Sequence, residues 1–368
     1  MSHAEPVRVT VLIDTYNPGE FIEQAIESVL AQDFPPEQME VLVVDDGSTD
    51  DTAERVRKYG HRVQYLHKAN GGQASAFNYG LERARGEIVA FLDGDDYWLP
   101  GKLTRIVDEF RKSPEAGMVY DNFVKYDSAS GQFSEGGIPG SSGFIPATAK
   151  NLLHFELGHP TSTLAFRSSA LQRLLPVPER LVVQADGHLF ACVIFVAPVI
   201  YIAEPLTVYR VHAGNLWNWV GNTPPGVHTP GQDPVAKARL QRRAKATRAI
   251  GEGVREWLEK NGFDPNRSDL RPFLMQWSLA SRTDEFMLSP PGRLTFSRHL
   301  FTNLRYYHAR MTRRHQLVYG ANALGSLVVG YNNFHLLDEW RLGIKRLLRR
   351  PSQRRATPDG ASTSGMRD

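Results

Sequence analysis

The 368-residue chain has a single cysteine, no long apolar run and no glycine-rich phosphate cradle, and each absence removes a class of protein. Cys192 alone excludes an intrachain disulfide framework and a cysteine-rich zinc site, which favours a reducing compartment. As a small residue in an apolar stretch it reads as core rather than nucleophile. No run approaches the roughly 18 apolar residues of a membrane-spanning helix, and Met1 to Pro6 carry no apolar signal core. The expectation is a cytoplasmic protein, at most peripheral to the inner face of the membrane. No Gly-x-Gly-x-x-Gly follows the first strand and no Walker-type Gly-Lys-Ser/Thr is present, which argues against an ordinary dinucleotide site or a P-loop. Internal repeats are also lacking.

What is present is an ordinary 41% hydrophobic content and a net charge of only +3, unevenly spread. From Gly231 onward Lys and Arg outnumber Asp and Glu about two to one, and before it the balance is reversed. An acidic front suits metal chemistry, and a basic remainder suits an anionic lipid surface, an anionic acceptor or plainly solvated helices. No nucleic-acid partner is expected.

The first hundred residues alternate β-branched runs with amphipathic segments. Residues 7–13 read as a buried strand leading into Asp14-Thr15-Tyr16-Asn17, with Asn17 the expected cap and Pro18 in the first turn of the next helix. Phe21, Ile22, Ala25, Ile26, Val29 and Leu30 recur at helical spacing. Residues 40–44 form a second strand ending in Asp45-Asp46-Gly47-Ser48-Thr49-Asp50. A helix over 51–59, a strand over 62–67, the loop Asn70-Gly71-Gly72 and a helix to about Arg85 follow. The strand over 87–92 ends in Asp93-Gly94-Asp95-Asp96. This order predicts an α/β fold, with a parallel or mixed sheet covered by helices on both faces. In such sheets ligands bind outside the carboxyl ends of the strands, and Asp14, Asp45, Asp46, Asp93, Asp95 and Asp96 all fall there. Crowded carboxylates repel one another, and a hard divalent cation, Mg2+ or Mn2+, would relieve that conflict.

Further strands are expected over 117–125, 161–166, 199–202 and 206–211, a glycine- and serine-rich loop over 128–142, and a helix beginning at Ala185-Asp186. Beyond a proline- and glycine-rich loop ending at Gly231, helices are expected over 235–261, 270–288 and 293–307. The division is a catalytic domain over 1–230, a basic helical region over 231–350 and a polar tail, expected to be disordered, over 351–368.

The ordered motifs Asp14-Thr15-Tyr16-Asn17, Ile26-Glu27-Ser28-Val29-Leu30-Ala31-Gln32, Val43-Val44-Asp45-Asp46-Gly47-Ser48-Thr49-Asp50, Asn70-Gly71-Gly72, Asn78-Tyr79-Gly80 and Phe91-Leu92-Asp93-Gly94-Asp95-Asp96 resemble those of the family 2 glycosyltransferases, inverting nucleotide-sugar-dependent enzymes of the GT-A fold. The resemblance covers roughly residues 7–215 and implies an α/β fold with a Rossmann-like mixed sheet flanked by helices. It implies transfer of a sugar from a nucleotide diphosphate, a UDP-sugar, to an acceptor hydroxyl in polysaccharide, cell-envelope or glycolipid assembly. By the same resemblance Asp46, supported by Asp45, meets the uracil, Thr15 lies against the base and Asn70 belongs to the donor site. Asp93 meets ribose or a metal-bound water, Asp95 ligates Mg2+ or Mn2+, and His212 completes the metal or diphosphate site. Asp186 matches the general base that deprotonates the acceptor.

Bland readings stand beside these. Asp186 would equally cap its helix, His212 would be a hydrogen-bonded surface residue, and Trp217 and Trp219 would be packing residues rather than a platform for a sugar ring. A sugar-phosphate nucleotidyltransferase would share the acidic rim, but the 14–19 loop lacks the Lys or Arg such enzymes carry. A non-catalytic carbohydrate-binding domain of the same fold is expected to have lost the acids. The expected acceptor is a glycan or lipid-linked glycan. Arg341, Lys345, Arg346, Arg349 and Arg350, interleaved with Trp340, Leu342, Ile344, Leu347 and Leu348, form a candidate membrane-docking helix.

Overall fold

In a computed structural model of the chain, the described residues are 7–137, 142–146, 159–215, 234–289, 291–307 and 324. Trp217, Trp219, the candidate membrane helix and the tail from residue 351 lie outside them. Among the described residues no helix is long and apolar enough to cross a membrane.

The sheet begins with four parallel strands, β1 (Val9–Thr15), β2 (Met39–Asp45), β3 (Gln64–His67) and β4 (Ile88–Asp93). It continues through β5 (Tyr97–Trp98), β6 (Met118–Asp127), β7 (Gln132–Glu135), β8 (Gly143–Ile145), β9 (Leu164–Arg167) and β10 (Val199–Val211). The spatial order is β3-β2-β1-β4-β9-β6-β10-β5, with β7 on β6 and β8 on β10. β9 is antiparallel to both β4 and β6, whereas β6 and β10 run parallel. The mixed sheet expected from the sequence is therefore present.

Side chains alternate between two buried faces, as the pleat requires. Val9, Val11 and Ile13 of β1 and Ile88, Ala90 and Leu92 of β4 point to one core. That core is closed by α1 (Phe21–Leu30), α2 (Thr52–Arg57) and α4 (Lys102–Lys112). Leu12, Val44, Val89 and Phe91 point to the other, beneath α3 (Gln73–Leu81). Phe77, Phe91 and Phe166 pack through it, tilted and edge-to-face, with ring centroids 4.8 and 5.7 Å apart. The short α5 (Ser168–Leu171) and α6 (Ala185–Val193) cover the same face. The helical C-terminal region follows as α7 (Pro234–Lys260), α8 (Arg271–Leu288) and α9 (Arg293–Tyr307). Ile250, Val254, Trp257, Phe273 and Trp277 of α7 and α8 join the core that contains Phe91.

Three local expectations are corrected. Asn17 does not cap α1: its backbone is left-handed at φ 51°, and its side-chain oxygen accepts from Thr49 N at 2.7 Å. It ties the first loop to the second instead. The loop expected over 128–142 contains β7, which returns on β6. The strands expected over 199–202 and 206–211 are one strand, β10, whose register slips around Pro205, a residue unable to donate to a ladder.

Candidate active site

Register brings the acids together. β1 lies between β2 and β4, with Thr15 opposite Asp45 and Asp14 opposite Asp93, so three strands deliver carboxylates to one rim. Gly94 N then donates to Asp14 O at 2.9 Å, and a Cβ on Gly94 would come within 2.4 Å of Thr15 Oγ1. Only glycine lets the chain turn this close to β1, and the turn sets Asp95 and Asp96 beside Asp93. The three offer carboxylate oxygens within 4.8 Å of one another.

They are not equivalent. Asp96 is fully buried, with Ser162 Oγ donating to it at 2.6 Å and Arg210 N at 2.8 Å. Asp95 is part-exposed; its Oδ2 lies 2.9 Å from His212 Nε2 and takes a 3.3 Å bond from Asn215 Nδ2. Arg210 is held inward. Its Nε donates to Asp95 O at 2.7 Å, its guanidinium also reaches Gln24 Oε1, and its charge lies 4.5 Å from the Phe21 ring centroid.

The rim is under-neutralised. Burial pushes Asp93 well above the usual carboxylate range, and Asp14, Asp96, Asp95 and Asp186 add repulsion. Burial raises Asp14 to about 8, with the charges of Asp186 and Asp95 contributing and a bond from Gln73 opposing. Asp96 is raised by burial and by Asp95, against the bonds from Ser162 and Arg210. A set of hard oxygen donors in mutual conflict, with one imidazole beside it, fits a divalent cation.

Asp186 sits in the first turn of α6. Burial raises it to about 6, opposed by the Gly187 backbone and the Thr161 hydroxyl. Ala185 supplies no acid beside it, and none is needed for the shift.

Asp45 and Asp46 are buried and differently occupied. Asp45 accepts from Tyr65 Oη at 2.5 Å and Ser48 N at 2.7 Å. Asp46 accepts from Lys68 Nζ at 2.6 Å, Gly71 N at 3.0 Å and Gly72 N at 2.6 Å, while Asn70 Nδ2 donates to its carbonyl at 2.9 Å. Asp46 thereby fixes the Asn70-Gly71-Gly72 loop at the rim. Thr15 Oγ1 is buried there without a partner.

Two contributors escape a sequence reading. Gln73, the first residue of α3, reaches Asp14, Thr161 and Ala185. Lys102 is wholly buried beneath the acids, donating to Asp121, to Ser162 O at 2.8 Å and to Thr207 Oγ1 at 2.7 Å. The only signal for Gln73 is its position after the glycine pair, and Lys102 has none, since a lysine in an amphipathic helix is normally solvated.

Comparison with known proteins bears on this arrangement. The family described as "Glycosyl transferase family 2" matches residues 10–175. An uncharacterized glycosyltransferase of Nostoc sp. is 34% identical over 216 residues, covering 57% of this chain and 66% of the relative, just under two thirds. One of Mycoplasma pneumoniae is 32% identical over 212 residues, 56% of this chain and 69% of the relative. Among solved structures, S. aureus TarS superposes with a TM-score of 0.54 at 18% identity, covering 89% of this chain and 54% of TarS. TarS 1–349 in complex with UDP-GlcNAc gives 0.51 at 18% identity, covering 91% of this chain and 92% of that one. These last two are likenesses of fold.

Proposed function

The chain belongs to glycosyl transferase family 2, and from that premise we propose that it moves a sugar from a UDP-sugar to a hydroxyl of a glycan or lipid-linked acceptor, with inversion. The observation that carries the reading is the gathering of Asp93, Asp95 and Asp96 on the rim beside Asp14, with Gln73 tying Asp14 to Ala185, the residue before Asp186.

Asp95, Asp93 and His212 are the residues that would hold Mg2+ or Mn2+. The bound cation supplies positive charge that offsets the charge gathering on the diphosphate leaving group. Asp96, whose oxygens are engaged by Ser162 and Arg210, keeps Asp95 and the 210–215 segment in place. Thr15, Asp45, Asp46 and Asn70 form the nucleotide side: Thr15 ends β1 where the base would lie, and Asp45 and Asp46 hold the loops that enclose it. Asp186 takes the proton from the acceptor hydroxyl at a carboxylate oxygen as that hydroxyl attacks the anomeric carbon from the face opposite the diphosphate. Its elevated pKa suits a base that works near neutrality. The division into a catalytic part up to about residue 230 and a helical part that shapes the acceptor side belongs to the same proposal.

The test is UDP release from UDP-glucose, UDP-galactose and UDP-GlcNAc in the presence of Mn2+. One donor is expected to be turned over by the wild type, and Asp95→Ala is expected to abolish release without lowering Tm. No release from any donor, together with no Mn2+-dependent thermal shift by UDP, would overturn the proposal.

A further inference from the structure

The candidate base does not hold its own position. α6 opens at Gln184, whose backbone is left-handed at φ 60° and whose side chain makes no capping bond. The first N–H groups of a helix need acceptors from outside it. Ala185 N finds one in Gln73 Oε1 at 2.9 Å, a residue 112 positions earlier. Because a backbone N–H can only donate, this contact fixes the amide: Oε1 faces α6, and Nε2 faces the opposite way. Nε2 lies 3.3 Å from Thr161 Oγ1 and 3.4 Å from Asp14 Oδ2. The Thr161 hydroxyl, accepting from Gln73, is free to donate its proton to Asp186, which it holds down against the effect of burial.

The backbones around this amide are locked as well. Gln73 N donates to Val182 O at 2.9 Å and Ala74 N to Leu181 O at 3.2 Å, so the start of α3 is zipped to the segment that leads into α6. Gly72, at φ 84°, lets the chains approach; a Cβ there would lie 2.6 Å from Val182 Cα. The same glycine's N–H is held by Asp46. One continuous path of bonds therefore runs from the end of β2 through Gly72 and Gln73 to both sides of Asp186.

We propose that Gln73 is a positioning residue for the transfer reaction: its amide fixes the base Asp186 relative to β1 and the donor rim by capping α6 on one side and orienting Thr161 on the other. The inference rests on the reading of Asp186 as base. Gln73 touches no reacting atom and acts only through its neighbours, so its removal is felt where placement matters and not where the nucleotide binds. A displacement of about 1 Å at a catalytic group costs ~10²-fold in rate.

Four proteins test this: wild type, Gln73→Met, Asp186→Asn and the double variant, each assayed for kcat by UDP release from the three UDP-sugars and for UDP affinity with Mn2+ by calorimetry. Gln73→Met is expected to lower kcat ~10²-fold while UDP affinity stays within about threefold of wild type, a few tenths of a kcal/mol. In the Asp186→Asn background the same change is expected to cost less than about twofold, because the group it positions is already gone. Gln73→Glu, which keeps the bond from Ala185 N but cannot donate as a carboxylate to Thr161, carries the same test should Gln73→Met fail to fold. An unchanged kcat, or losses that multiply in the double variant, would overturn the positioning role while leaving Asp186 as base. Full activity of Asp186→Asn would remove the base and this inference together.

Discussion

Two groups of carboxylates lie within the same fold and are treated oppositely. On the rim, Asp14, Asp93, Asp95 and Asp186 outnumber the cations near them, and burial and mutual repulsion hold Asp14, Asp93 and Asp186 above their ordinary range. Away from it, three acids buried among the described residues have cations: Asp121 has Lys102, Glu40 has Arg85, and Asp284 has Arg243. The interior pairs also fill the remaining lone pairs, with Thr207 donating to Asp121 at 2.7 Å and Thr10 to Glu40 at 2.7 Å. Neutralised acids join strands and helices; acids left in conflict wait for a charge that the chain does not supply. The difference separates structure from chemistry more clearly than burial does, since members of both groups are withdrawn from water.

Substitutions on the two sides should fail in different ways. The largest effect is expected from Asp186→Asn, a loss of ~10² to 10⁴ in kcat with folding and UDP affinity kept. In the wild type the base must be ionised, so kcat should rise with pH through about 6 and then level off, a limb absent from the variant. Stopped assays from pH 5 to 8 would read both; a pH-independent wild-type rate would break the assignment.

On the paired side Lys102→Met should unfold rather than inactivate. It leaves Asp121 buried without its cation, at a cost of ~3–5 kcal/mol by denaturant titration, and replacing both partners with apolar residues should recover most of the loss. If Lys102→Met were to lower kcat at unchanged stability, the contrast between the two groups would collapse.

The last effect is expected at Asp14, and its sign rather than its size is the informative part. Its pKa is about 8 in the fold against an ordinary 3.8, so the native state binds a proton that the unfolded chain releases. That contribution is complete below pH 4 and is lost as pH rises through 8. The metal-free protein should therefore lose Tm between pH 5 and 8, and Asp14→Asn should flatten the decline. A steeper decline in the variant would count against the rim being under-neutralised.

The rim was legible in the sequence because its causes are local. An apolar run that ends in Asp93-Gly94-Asp95-Asp96 states both the strand and the edge it reaches, and β1 and β2 repeat the statement. A helix-covered sheet and the helical C-terminal region followed from period and composition, and the mixing of strand directions followed from the family resemblance. What sequence could not carry were roles fixed by distant partners. Gln73 is an ordinary polar residue at a helix start until the 181–185 segment closes over it, and Lys102 is an ordinary amphipathic-helix lysine until Asp121 and Thr207 arrive from two other strands. Asn17 shows the converse: its cap-like position was read from neighbours in sequence, while its side chain answers to Thr49.

The place of β9 has a consequence for the growing chain. β1 to β4 are made in succession and pair with one another, but the other edge of β4, at Ile88, Val89 and Ala90, meets its partner only when Leu164 to Arg167 have been synthesised. Until then a strand from the middle of the finished sheet is an open edge of bare N–H and C=O groups, the kind that templates pairing with a stranger. The segment that shields this edge comes more than 70 residues later in the chain, and the same segment brings Ser162 to clasp Asp96. The segment that covers this edge of β4 is therefore also the one that secures Asp96.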